Sequence, residues 1–218
     1  MNELDSFLDR HIINKSTATA ASGGNGEAQV PTHQWFSKYK KANLSIVDSD
    51  YDKFMKLYYT TILKTGLTHN IIERQRTHKQ VESGHHLIDL DFNYAADRTT
   101  RLYTDQHILD VITFTLEQYT KIFELDEDVQ FTVAQMEKPS PRVVSKNGTT
   151  IVKDGIHLMF CVKISPYVQM YLRKELIDYI SEKWTDLPVI NTWEDVVDKA
   201  ICDGTNGWLL PQSKKEDE

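Results

Sequence analysis

The sequence predicts an α+β fold whose principal sheet follows the order β-α-β-β-α-β with both helices on one face. Three features predict it: a run in which apolar and acidic residues alternate, two long stretches with apolar residues at helical spacing, and an Asn-Gly pair between two β-rich runs.

The first helix opens the globular part, with Tyr51, Phe54, Met55, Leu57, Tyr58 and Ile62 at helical spacing and Ser49 or Asp50 placed to cap it. Residues 87–92 follow as a strand. Their period of two sends Asp89 and Asp91 to the same face. Residues 105–124 carry Ile108, Ile112, Leu116, Tyr119 and Phe123 on one stripe with Asp105 near the start, so they form an amphipathic helix. A strand is expected at 129–136. Next, residues 142–146 and 149–152 flank Asn147-Gly148, whose two residues both accept positive φ, so the chain turns back there as a hairpin. Residues 156–162 make another strand, and Pro166 begins a second helix through Val168, Leu172, Leu176, Ile180 and Trp184. An acidic segment and a strand-like 207–210 close the order. A β-α-β-β-α-β order with helices on one face is that of RNA-recognition-like folds.

With 218 residues the chain is long enough for one domain, or one with a small appended subdomain, and buries a core without assembly. Residues 16–28 are small and polar and bury too little apolar surface to stay ordered. Residues 1–32 are therefore expected as a flexible N-terminal arm with a disordered linker, and 33–218 as the folded domain. Within the arm, the apolar stretch 4–13 has the makings of a helix, detached or packed elsewhere on the domain.

Cys161 and Cys202 stand far apart with no Cys-x-x-Cys spacing, which indicates neither a disulfide framework nor a self-contained zinc site. No run approaches the roughly 18 to 20 apolar residues of a membrane span, and Asp5, Asp9 and Arg10 are unlike a secretory signal. An intracellular protein without a membrane is expected. The net charge of -7 and pI near 5.6 argue against a protein that grips duplex nucleic acid by phosphate neutralisation alone. Local cationic clusters do occur: Lys38, Lys40 and Lys41; Arg74, Arg76 and Lys79; Lys138, Arg142 and Lys146; Lys214 and Lys215. Each alone reads as a solvated face.

Two carboxylates two residues apart on a strand offer hard oxygen ligands of the kind Mg²⁺ or Mn²⁺ takes beside phosphates. Taken alone an Asp-x-Asp is more often a charge in solvent, and a third carboxylate is usually needed. A second constellation is Lys153-Asp154-Gly155-Ile156-His157, where alternation puts Lys153, Gly155 and His157 on one face. A cation, a backbone N–H and an imidazole there suit a triphosphate, although a histidine so placed is as often structural. A third is Asp198, in the run Val196-Val197-Asp198-Lys199, followed by Asn206-Gly207-Trp208-Leu209-Leu210-Pro211-Gln212-Ser213-Lys214-Lys215.

In their order these motifs resemble the archaeo-eukaryotic primase superfamily, in particular the primase and primase-polymerase domains of large DNA viruses. There an Asp-x-Asp or Asp-x-Glu motif precedes Ser-x-His, often with Lys ahead of it, and then an apolar-Asp motif. The stretch 206–215 resembles the Asn-Gly-Trp-Leu-Leu-x-Gly-Ser-Lys-Lys run seen downstream in viral members. The resemblance spans roughly residues 70–215. It implies a primase-type catalytic core with an N-terminal helical and αβ part. It makes Asp89, Asp91 and Asp198 catalytic ligands of Mg²⁺ or Mn²⁺, and it gives nucleotide contacts to Lys153, Gly155, His157, Ser213 and Lys214.

The activity it implies is templated synthesis or extension of a primer for DNA replication, with single-stranded DNA as template and nucleoside triphosphates as substrates. A helicase domain or subunit is the implied partner, the chain being a domain excised from a longer helicase-primase. The implied location is the site of DNA replication, in the nucleus or a cytoplasmic viral factory. Template binding would fall to the cationic clusters and neighbouring aromatics Trp35, Phe36, Tyr39 or Trp208. Three positions depart from the pattern: Gly155 stands where serine is usual, Gln212 where glycine is usual, and Asn93 where a basic residue often follows the aspartates. Two other classes stay open, a catalytically silent nucleic-acid-binding replisome domain and an Asp-x-Asp glycosyltransferase using a nucleotide sugar. The latter would not predict Lys153, His157 and Asp198. A phosphatase of the Asp-x-Asp-x-Thr kind is disfavoured by Asn93.

Overall fold

A computed structural model describes residues 2–13, 30–37, 40–67, 69–74, 83–146, 148–203 and 206–213. The linker at 16–28, Asn147 of the expected turn, Lys214 and Lys215, Tyr39 and the cations Lys38, Arg76 and Lys79 lie outside these residues. In chain order the elements are α1 (Glu3–Arg10), β1 (His33–Ser37), β2 (Lys40–Leu44), α2 (Asp48–Tyr58) with a π-helical turn Tyr59–Leu63, and β3 (Asn70–Arg74). They continue as β4 (Gly84–Ala95), α3 (Asp105–Ile122), β5 (Val133–Glu137), β6 (Arg142–Lys146), β7 (Thr149–Ile164) and α4 (Pro166–Lys183). Two single-turn helices, α5 (Trp193–Val196) and α6 (Lys199–Cys202), precede β8 (Gly207–Leu209). The chain divides into two units: Met1–Arg76 with Asn206–Glu218, and Thr77–Thr205.

The first unit is an antiparallel sheet in the order β2-β1-β3-β8. Its core joins Trp35, Leu44 and Ile71 to Phe54, Tyr58 and Ile62 of the α2 region and to Leu4, Phe7 and Leu8 of α1. The stretch 4–13 thus packs on this unit. Asn2 caps α1, its Oδ1 accepting from Asp5 N–H at 2.7 Å. Helix α2 starts one residue ahead of Ser49, with Val47 at the cap and no side-chain cap bond. Asp48 and Asp50 fall in its first turn, where negative charge meets the positive end of the helix dipole.

The strand expected to close the principal sheet pairs in this unit instead, Ile72 with Leu209 and Glu73 with Trp208. The reason is local. A Cβ at Gly207 would overlap Ile72 Cγ2 and come within 2.9 Å of Glu73 O, so only glycine lets β8 approach β3 so closely.

The second unit is built on β4 and β7, antiparallel along their whole length with a bulge at His85/His86. The two runs expected at 149–152 and 156–162 are one continuous strand, β7. Its other edge takes both short strands: β6 pairs with the Thr149 end through the hairpin, and β5 pairs further on, from Ile156 to Phe160. Gly148 has φ 77°, as the turn requires. Strand β5 begins later than expected, at Val133, because residues ahead of it form a turn and leave Val129 exposed.

Even-numbered residues of β4 and β7, among them Ile88, Leu90, Phe92, Ile156, Leu158 and Phe160, form the core with α3 and α4. Ser165 caps α4, with Pro166 in the first turn. The free edge of β4 is covered by the segment 190–198 rather than a regular strand. Ile190 N–H donates to Asn93 O and Asp198 N–H to Asp89 O, both at 2.9 Å, and Val197 bridges Leu90. No helix among the described residues is long and apolar enough to cross a membrane.

Candidate active site

The same alternation that buries the even residues of β4 and β7 turns the odd ones to the face away from α3 and α4. Cross-strand register arranges them in rows: Asp89 opposite His157 and Met136, Asp91 opposite Gly155, and Asn93 opposite Lys153 and Arg142. His157 Nε2 lies 3.2 Å from Asp89 Oδ1, the two side chains being 32% and 13% exposed. Despite that approach Asp89 Oδ1 is buried and makes no hydrogen bond. The contact is an ion-pair distance without bonding geometry.

Asp91 has its carboxyl held above the usual carboxylate range, first by burial and then by the charge of Asp89. Lys153, Lys138 and His157 pull it partly back. Two carboxylates, one with an unbonded buried oxygen and one raised by its neighbour's charge, make a donor set that fits a hard divalent cation. Among the described residues no group of three or more His, Cys, Asp or Glu side chains is arranged to hold a metal ion. A cation at this place would have the two aspartates as its protein ligands, with phosphate and water oxygens completing the shell that Mg²⁺ prefers.

Gly155 is held to glycine by sterics. A Cβ there would stand 2.6 Å from Leu90 O and 3.4 Å from Asp91 Oδ1, so β4 leaves no room for a side chain at this position of β7 beside the aspartates.

A family model described as the C962R protein N-terminal AEP domain, AEP standing for archaeo-eukaryotic primase, matches residues 32–218. The chain belongs to this family. No curated protein matches it. The match runs through both units, so the AEP domain takes in β1 to β3 and β8 as well as the sheet that carries the aspartates.

In this AEP domain Asp198 reaches the site by its backbone, bonded to Asp89 O, while its own Oδ1 accepts from Ala200 N–H at 2.9 Å and caps α6. Arg173 fixes that approach by donating to Val197 O at 2.9 Å and Glu194 O at 2.6 Å. Ser213 belongs to the first unit. There its buried hydroxyl lies 3.1 Å from Tyr58 OH and accepts from Ile71 N–H at 3.1 Å. Tyr58 also donates to Pro211 O at 2.5 Å. Gln212 has φ 62°, a left-handed backbone that explains why glycine is usual there.

Two site residues escape sequence reasoning. Lys138 shows there only as one of a cationic cluster, yet it stands near enough to Asp91 to draw its carboxyl down. Asn191 brackets β4, its Oδ1 accepting from Asn93 N–H at 3.0 Å and its Nδ2 donating to Asp91 O at 2.9 Å. No signal in the sequence ties Asn191 to a strand a hundred residues away.

Proposed function

We propose that this AEP domain is a metal-dependent nucleotidyltransferase that synthesises or extends primers on single-stranded DNA during replication. The observation that carries the reading is the placing of Asp89 and Asp91 on one face of β4, with His157, Lys153 and Lys138 around them. In the reaction a 3′-hydroxyl attacks the α-phosphate of a nucleoside triphosphate, a new P–O bond forms, and pyrophosphate leaves with the electron pair of the broken bond. Mg²⁺ or Mn²⁺, when bound, supplies charge neutralisation for the hydroxyl and the leaving group. Asp89 and Asp91 would hold it, joined by Asp198 once its carboxylate turns from the α6 cap. Lys153 and His157 receive the triphosphate; the Gly155 N–H is already taken by Asp154 Oδ1 and the Ser213 hydroxyl by Ile71 N–H. Such catalysis is positioning and electrostatics, with no covalent step on the protein. The domain is read as acting beside a helicase, in the same protein or a partner chain, at the site of viral DNA replication.

A second reading, a replisome domain that binds nucleic acid without catalysis, draws on the use of Asp198 Oδ1 as a helix cap. One experiment separates them: incorporation of each nucleotide pool on primed and unprimed single-stranded templates with Mg²⁺ or Mn²⁺. Metal-dependent products from the wild type, abolished by Asp89→Ala with Asp91→Ala, are expected. Undiminished synthesis by that double variant refutes the assignment of the aspartates. Template binding without synthesis moves the domain to the silent class.

A further inference from the structure

Asp154 sits between Lys153 and Gly155 but points the other way, and its side chain is 0% exposed. A carboxylate so buried is strongly unfavourable unless paired and hydrogen-bonded. Arg101 supplies that pairing with two prongs of its guanidinium, Nε to Oδ2 at 3.0 Å and an Nη to Oδ1 at 3.1 Å. Oδ1 also accepts from Gly155 N–H at 2.9 Å. The same guanidinium donates to Lys138 O at 2.6 Å and to Glu137 Oε2 at 2.8 Å. Tyr103, over whose ring the guanidinium lies at 4.8 Å, donates its hydroxyl to Gly155 O at 3.2 Å.

One planar group thus ties two backbone stretches together from behind the site. One carries Lys153 and Gly155, and the other carries Lys138 as the chain leaves β5. Both lysines act on Asp91. A fork of fixed geometry sets a spacing between them that a lysine at 101, a point charge on a flexible stem, would not set.

We infer that Arg101 is a positioning residue that, through Asp154 and the Lys138 carbonyl, sets the spacing of the Lys153 and Lys138 cations for a polyphosphate. This rests on the nucleotidyltransferase reading above for the ligand's class. Arg101→Lys keeps a charge beside Asp154 and gives up the fork.

The test uses the full chain, with Mg²⁺ and inorganic tripolyphosphate as the calorimetric probe, beside nucleotide-incorporation kinetics. Arg101→Lys is expected to weaken tripolyphosphate binding and raise KM for triphosphate by about tenfold each, with kcat within about threefold. If Arg101 works through Lys138, the same substitution made on Lys138→Ala adds less than about twofold, since coupled residues are not additive. Wild-type affinity in folded Arg101→Lys, or an equal loss in both backgrounds, overturns the inference. Should Arg101→Lys fail to fold, Arg101→Met with Asp154→Leu removes the buried Asp154 charge together with its partner. The expected result is then a similar loss of affinity, and unchanged affinity refutes it. An Arg101-dependent tripolyphosphate site on a wild type that incorporates no nucleotide leaves positioning standing and ends the primer-synthesis reading. A wild type that binds no tripolyphosphate ends both.

Discussion

Placing a side chain at Gly155 tests the close approach of β4 to β7 beside the aspartates. A Cβ would stand 2.6 Å from Leu90 O, against about 3.3 Å for an ordinary close C···O contact, a shortfall of about 0.7 Å. The obstacle is backbone, so relief requires β4 and β7 to part locally or β7 to twist. Overpacking of this kind costs about 1–3 kcal/mol. For a protein of this size that lowers Tm by roughly 3–10 °C. Asp91 Oδ1, 3.4 Å from the same Cβ, is in ordinary contact and moves only as β4 is displaced at Leu90, and Mn²⁺ affinity should fall with that displacement along with stability. Gly155→Ala isolates the steric effect, and Gly155→Ser installs the residue usual in the superfamily with its extra hydroxyl. Thermal unfolding and Mn²⁺ titration of both variants decide the matter. If Gly155→Ala keeps the wild-type Tm and Mn²⁺ affinity, the close approach of the strands and its consequence for Asp91 are wrong. If Ala destabilises while Ser does not, the hydroxyl finds a partner that offsets the clash.

His86, buried beside Tyr119 with Nδ1 2.6 Å from its hydroxyl, has its pKa lowered to about 3 by burial. The unfolded chain takes up a proton near pH 6.5 that the folded chain refuses, so stability present above pH 6.5 is lost as pH falls from there toward 3. The loss is about 1.4 kcal/mol per unit, or about 2 kcal/mol by pH 5. His86→Phe should flatten that slope in urea melts between pH 7.5 and 5.5; an unchanged slope refutes the assignment. Gln212→Gly removes a left-handed strain of about 1 kcal/mol, partly offset by the freedom glycine adds to the unfolded chain. A net gain of about 0.5 kcal/mol in urea melts is expected, and a loss would show that the Gln212 side chain stabilises the turn more than the strain costs.

The second unit was the more legible from sequence, because its signals are periodic and local. Alternation at 87–92 puts Asp89 and Asp91 on one face, Asn147-Gly148 sets the hairpin, and Pro166 starts α4. The first unit was mostly hidden. Strands β1 to β3 are five residues each, and His33–Ser37 and Asn70–Arg74 mix polar with apolar residues without clean alternation. Their pairing is fixed instead by contacts far apart in sequence, such as Ile72 with Leu209. The same holds at the site. Lys153 and His157 follow from period two on one strand, whereas Lys138, Arg101 and Asn191 arrive by register and loop closure.

Asp198 shows why the third carboxylate is the hardest to read. Bonds to the main chain hold its location: Val197 bridges Leu90, Asp198 N–H meets Asp89 O, and Arg173 fixes the carbonyls of Glu194 and Val197. None of these contacts involves the Asp198 carboxylate, so the residue is delivered beside Asp89 whichever way its side chain points. In the structure it caps α6 through Ala200 N–H. Surrendering a helix cap costs about 1 kcal/mol. That is small beside the repulsion between neighbouring carboxylates that a bound divalent cation relieves. On the proposed reading, the pair Asp89 and Asp91 forms the standing part of the site and Asp198 the part recruited by the ion. Removing the Asp198 carboxylate should then weaken Mn²⁺ binding less than removing either member of the pair.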